Sequence, residues 1–133
     1  MRVRRVIPLE FQEQIAVIDW WRAFAPTIGQ DECLLFAIPN GSFLAGDVRA
    51  RSRQTSKLKA TGMRPGMLDL FLALPTHAFP GMFTEMKRRQ GGITSPEQVA
   101  MISLLRRAGY NVIVARGADE AIKAIKAYAT SRY

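Results

Sequence analysis

Two carboxylates and a lysine stand where apolar residues belong. Asp69 interrupts the run Met67-Leu68-Asp69-Leu70-Phe71-Leu72, and Glu85 and Lys87 end the run Met82-Phe83-Thr84-Glu85-Met86-Lys87. An unpaired carboxylate inside a core costs several kcal/mol, on the order of a domain's whole net stability. Such a charge needs a partner, either a salt bridge or a metal ion. Side chains alternate along a strand, so Glu85 and Lys87 share one face and Met86 turns to the core. If the two runs pair as a hairpin, Asp69 near the start of one lies beside Glu85 near the end of the other. Two carboxylates then converge with an ammonium beside them. That set suits phosphodiester hydrolysis. The carboxylates bind a hard divalent ion, most naturally magnesium. The ion lowers the pKa of a water and offsets charge building on the phosphoryl group. The lysine orients or helps deprotonate that water and stabilises the transition state. Gln98 is placed to hold Lys87 or the water.

Each residue alone has a plainer reading. Asp69 reads as a strand-end turn acid. Glu85 and Lys87 read as a charge pair on an exposed edge strand. Gln98 reads as a helix surface residue. The set becomes a site only if the fold brings its members together.

The elements that must do so are legible from periodicity and punctuation. Glu10 to Ala25 reads as a helix, with Phe11, Ile15, Ile18 and Trp21 as one apolar stripe at steps of three and four. Pro26 and Gly29 stop it. Leu34 to Ile38 reads as a buried strand, followed by a Pro39-Asn40-Gly41 turn that is a candidate substrate neighbour. Asp47 to Arg64 is polar and basic, either a short helix or an ordered loop. Met67 to Leu74 and Gly81 to Lys87 read as a hairpin. Ser95 is an N-cap with Pro96 at the first helical position. That helix runs to Ala108 and stops at Gly109. Asn111 to Ala115 reads as a strand, and Ala118 to Ala129 as a closing helix. The order predicts a single α/β domain over residues 1–133, with a central mixed sheet flanked by helices.

Nineteen Lys and Arg face eleven Asp and Glu, a formal charge of +8 that favours a polyanionic partner. Arg49, Arg51, Arg53, Lys57, Lys59 and Arg64 precede the Asp69 strand, and Arg88 and Arg89 follow Lys87. These eight are the candidate contacts to backbone phosphates, which position a duplex without reading its sequence. The single cysteine, Cys33, excludes an internal disulfide and reads as a small core residue. His77, the only histidine, reads as a loop residue. Trp20 and Trp21 read as core or dimer packing. No run is long and apolar enough to span a bilayer, and no signal-peptide pattern follows the basic N-terminus. An intracellular protein is the expectation.

Gly62-x-x-x-Gly66-x-x-Asp69-Leu70, Glu85-x-Lys87, Gly91-Gly92 and Ser95-x-x-Gln98, in that order, resemble the virus-type replication-repair nuclease (VRR-Nuc) domain. That family is a branch of the PD-(D/E)XK nuclease superfamily. The resemblance covers nearly the whole chain, and the short length looks like a stand-alone phage or prophage member acting in a bacterial cytoplasm. It implies a restriction-endonuclease-like core and a Mg2+- or Mn2+-dependent endonuclease. It implies that Asp69, Glu85 and the backbone carbonyl of Met86 are metal ligands, that Lys87 is the catalytic lysine and that Gln98 supports the site. The family's first-helix glutamate matches Glu10, four before Gln14, with Glu13 as the competing choice. Leu68 stands where the family usually has proline directly before the aspartate. Stand-alone members resemble Holliday-junction resolvases, so branched DNA, a homodimer and products with 5′-phosphate and 3′-hydroxyl ends are the implied substrate, assembly and chemistry. A non-catalytic nucleic-acid-binding module on the same fold is the alternative, and an RNA nuclease is a third reading.

Overall fold

A computed structural model describes residues 7–39 and 46–131. The elements are α1 (Glu10–Phe24), β1 (Leu35–Ala37), α2 (Val48–Ala60), β2 (Leu70–Leu72), β3 (Met82–Lys87), α3 (Pro96–Arg107), β4 (Asn111–Arg116) and α4 (Ala118–Thr130). Asn40 and Gly41 lie outside the described residues.

The strands form one mixed sheet in the order β1-β2-β3-β4. β1, β2 and β3 are antiparallel neighbours, and β4 runs parallel to β3 after the α3 crossover. β3 is therefore an interior strand, and the edge-strand reading of Glu85 and Lys87 falls away. β2 is shorter than the eight residues its composition suggests. Backbone bonds extend its pairing with β1: Ile38 N–H donates to the Asp69 carbonyl and Ala73 N–H to the Leu34 carbonyl, both at 2.8 Å. Asp69 thus sits in a bend at the entrance of β2.

Alternation sorts the sheet into two faces. Leu70, Leu72, Met82 and Met86 join Val17 and Trp21 of α1 and Ile125 and Tyr128 of α4 in the larger core. Phe83 and Val112 join Leu68 and Ile102 of α3 in the smaller one. Glu85 and Lys87 share the parity of Phe83, so they face the layer that contains α3.

Two expectations need correction, and one open choice, the form of the basic segment, falls to a helix. The buried line of α1 is Glu13, Val17 and Trp21, not the stripe through Phe11 and Ile15, which are 49% and 52% exposed. Glu13 tolerates the core because it has partners that satisfy its charge. Cys33 is exposed, because its short 3-10 turn, Glu32–Leu34, lies on the surface with Cys33 N–H bonded to the Asp31 carboxylate. The basic segment forms a helix, capped by the Asp47 side chain accepting from Ala50 N–H at 2.8 Å. No residue of α2 is buried. Trp21 is core, and Trp20 stacks on Phe24 with ring centroids 4.9 Å apart.

No helix among the described residues is long and apolar enough to cross a membrane.

Candidate metal centre

Four segments meet at one end of the sheet. The β2–β3 register pairs Leu70 with Thr84, which carries Asp69 to the level of Glu85. Asp69 is fixed there by Met86, whose N–H donates to Asp69 Oδ2 at 2.7 Å. The first turn of α1 brings in Glu10. One carboxylate oxygen from each of Glu10, Asp69 and Glu85 lies within 4.8 Å of the others.

α3 supplies the fourth component. Ser95 Oγ accepts from Gln98 N–H at 3.2 Å, and Gln98 Oε1 accepts from Ser95 N–H at 3.1 Å, a reciprocal cap of the helix start. The same amide oxygen accepts from Lys87 Nζ at 2.9 Å, and Gln98 Nε2 donates to Glu85 Oε1 at 2.5 Å. Lys87 Nζ stands 3.3 Å from that Glu85 oxygen. Each of these contacts joins a donor to an acceptor, so the orientation of the Gln98 amide is set by its neighbours.

The loop carrying Asp69 packs directly on this turn. A Cβ on Gly66 would stand 2.4 Å from the Glu97 carbonyl carbon and 2.7 Å from Gln98 N, and φ there is +75°. Only glycine fits, which gives the second glycine of the 62–66 loop a physical role.

The electrostatics are those of crowded acids. Burial, and then the neighbouring Asp69, push the Glu85 carboxyl up to about 7. Lys87 and Gln98 pull the other way without cancelling the shift. Burial raises Asp69 against the Met86 N–H, which favours its charged form. Burial and Asp69 also raise Glu10, opposed by Lys87 and Arg88. Glu85 Oε2 is buried and has no hydrogen-bond partner among the described residues. Three clustered carboxylates with an orphaned, buried oxygen fit a hard divalent cation, which takes oxygen ligands and supplies the missing positive charge.

The expected residues divide into two groups. Glu10, Asp69, Glu85, Lys87 and Gln98 are brought together, and Met86 joins them through its N–H. The two first-helix acids part in space: Glu10 is in the cluster, whereas Glu13 is paired with Arg89 and the start of α4. Arg49, Arg51, Arg53, Lys57 and Lys59 line exposed α2, and Arg64 is exposed in the following turn. Arg88 and Arg89 are engaged within the chain: Arg88 Nη2 donates to the Ile7 carbonyl at 3.2 Å, and Arg89 Nε to Glu13 at 2.9 Å. Glu13 is the residue whose part sequence reasoning misses. Its signal is the line Glu13, Val17, Trp21, Ala25 at steps of four, which places an acid in register with a core face.

No family model matches the chain, and no curated protein matches it. A solved structure described as a "VRR_NUC domain protein" superposes with a TM-score of 0.73, over 97% of this chain and 93% of that one, at 21% sequence identity. The likeness establishes the fold: a mixed four-stranded sheet flanked by helices, in the arrangement of a VRR-Nuc domain.

Proposed function

We propose that this chain, on its VRR-Nuc fold, is a divalent-metal-dependent endonuclease that hydrolyses phosphodiester bonds in DNA. The observation that carries the reading is the cluster of Glu10, Asp69 and Glu85 oxygens within 4.8 Å, beside the Lys87 ammonium. The three carboxylates would hold Mg2+ or Mn2+, with the Met86 carbonyl as a further ligand. A bound ion supplies an activated water and offsets charge on the phosphoryl group. Lys87, held by Gln98, orients the attacking water and stabilises the added charge. Gln98 keeps Glu85 and Lys87 in place without reacting. Arg49, Arg51, Arg53, Lys57, Lys59 and Arg64 contact backbone phosphates of the substrate.

Branched DNA, such as a four-way junction, is the substrate of this reading. Two equivalent strands then call for two sites, which a homodimer supplies. The test is cleavage of a labelled junction beside linear duplex and single strand, with Mg2+, Mn2+ or EDTA. Paired, metal-dependent nicks in the junction, absent in Glu85→Ala, are the expected result. Tight, salt-sensitive binding with no cleavage of any DNA would instead mark a non-catalytic binding module.

A further inference from the structure

Glu13 is 3% exposed, and both its oxygens are committed. Oε1 accepts from Arg89 Nε at 2.9 Å, and Oε2 accepts from the backbone N–H of Ala118. Ala118 opens α4, whose N-cap is Gly117 and offers no side chain. Glu13 therefore caps α4 from another helix, in place of the oxygen that Ser, Thr, Asp or Asn supplies locally. Its charge also meets the positive end of the helix. Gly117 has φ +87°, and a Cβ there would stand 2.8 Å from Arg89 Cγ, so the missing side chain makes room for the arginine.

This knot lies beside the acid cluster along the chain on every side. Arg89 follows Lys87 by two residues, and the Lys87 carbonyl accepts from Gly117 N–H at 3.0 Å. Glu13 lies one helical turn after Glu10 on α1. Before Glu10, the Ile7 carbonyl accepts from Arg88 at 3.2 Å. The two arginines that follow the Glu85-x-Lys87 strand thus hold the chain at residue 7 and residue 13, with Glu10 midway between.

We propose that Glu13 and Arg89, assisted by Arg88, are positioning residues that set Glu10 against Asp69 and Glu85. They bind neither ion nor DNA. The inference rests on the metal-site reading above and assigns Arg89 a task distinct from phosphate binding. β3 carries Glu85, Met86 and Lys87 of the site, and the brace transmits their position to the acid contributed by α1. Outer partners of this kind typically change metal affinity or activity by about 10- to 100-fold.

The test is Mn2+ titration by calorimetry of the full chain and its variants, with cleavage kinetics and amide hydrogen exchange alongside. The Arg89 side chain is half-exposed, so Arg89→Ala is the variant expected to fold; Glu13→Gln is the second. Arg89→Ala should weaken Mn2+ binding about 10-fold or more and lower kcat with KM for DNA unchanged. It should also speed exchange in the first turn of α1. Arg89→Lys should restore part of each. In a Glu10→Ala background, Arg89→Ala should have no further effect on Mn2+ affinity, because it acts through Glu10. Unchanged Mn2+ affinity and exchange in Arg89→Ala, or an equal loss in the Glu10→Ala background, overturns the brace while leaving the metal site standing. A raised KM with unchanged kcat makes Arg89 a DNA contact and also overturns it. A wild type that binds no divalent ion overturns the metal reading, and the brace with it.

Discussion

Gln98 holds Lys87 and Glu85 from one amide: its oxygen accepts from the ammonium at 2.9 Å and its nitrogen donates to the carboxylate at 2.5 Å. A side chain without both a donor and an acceptor cannot satisfy both. Gln98→Ala should therefore lower kcat by about 10- to 100-fold. It should also cost about 1 kcal/mol of stability, since the half of the α3 cap that Gln98 gives to Ser95 N–H is lost while the Ser95 side-chain cap remains. Single-turnover kinetics and denaturant unfolding measure the two effects separately. A variant with lowered stability and wild-type kcat would restrict Gln98 to capping.

Glu85 gives the metal-free chain a pH signature. Burial and Asp69 raise its carboxyl from an ordinary 4.5 to about 7. Between those values the folded chain binds more protons than the unfolded one, so stability falls as pH rises through that window. The penalty is absent below the lower value and complete above the higher one. Thermal melts in EDTA from about pH 5 to about pH 8 should show a declining Tm. Glu85→Gln should flatten that decline and melt higher than wild type at the alkaline end. Divalent-ion affinity should rise over the same interval, since the ion displaces the proton. A flat Tm profile in the wild type would show that Glu85 ionises freely.

Asp69→Ala and Glu85→Ala should abolish cleavage while leaving DNA binding largely intact. Lys87→Ala should lower the rate and retain metal binding, since the ammonium is no ligand. Cleavage assays beside calorimetric titration check these outcomes. Comparable cleavage by either carboxylate variant would remove it from the reaction. Loss of metal affinity in Lys87→Ala would make that lysine structural.

α2 should supply the salt dependence of binding. Arg49, Arg53 and Lys57 recur at steps of four, on one side of a helix with no buried residue. Replacing all three by alanine should weaken DNA binding at every sequence. It should flatten the plot of log affinity against log salt by about 0.9 for each phosphate no longer neutralised, hence by roughly 3. An unchanged slope would place the electrostatic interface elsewhere on the surface.

The site is more legible in the sequence than its surroundings. Asp69, Glu85 and Lys87 stand out because charge inside an apolar run needs an explanation, and period-two alternation places two of them on one face. Gln98 follows from the Ser95 cap, which fixes where α3 starts. The buried face of α1 escapes such reading because hydrophobicity alone cannot recognise a satisfied acid. Glu13 is core only by virtue of Arg89 and Ala118, which lie 76 and 105 residues away. Cys33 escapes it for a related reason, since its exposure is set by a short surface turn rather than by its own side chain. The ends of β2 are blurred because its flanks are apolar without being paired as strand.

The absence of any buried residue in α2 separates two kinds of inheritance within one small domain. Substitutions in β3 and at Gly66 meet close neighbours, since every residue of β3 is buried and a Cβ on Gly66 would strike the backbone of α3. Substitutions on α2 meet solvent. On the nuclease reading proposed above, the helix assigned to grip DNA can drift, exchange charges and adapt to a new DNA shape without asking the interior to repack, while the strand assigned to cut is held nearly fixed. On that reading, descendants of this chain should differ most in the DNA they bind and least in the residues of the acid cluster.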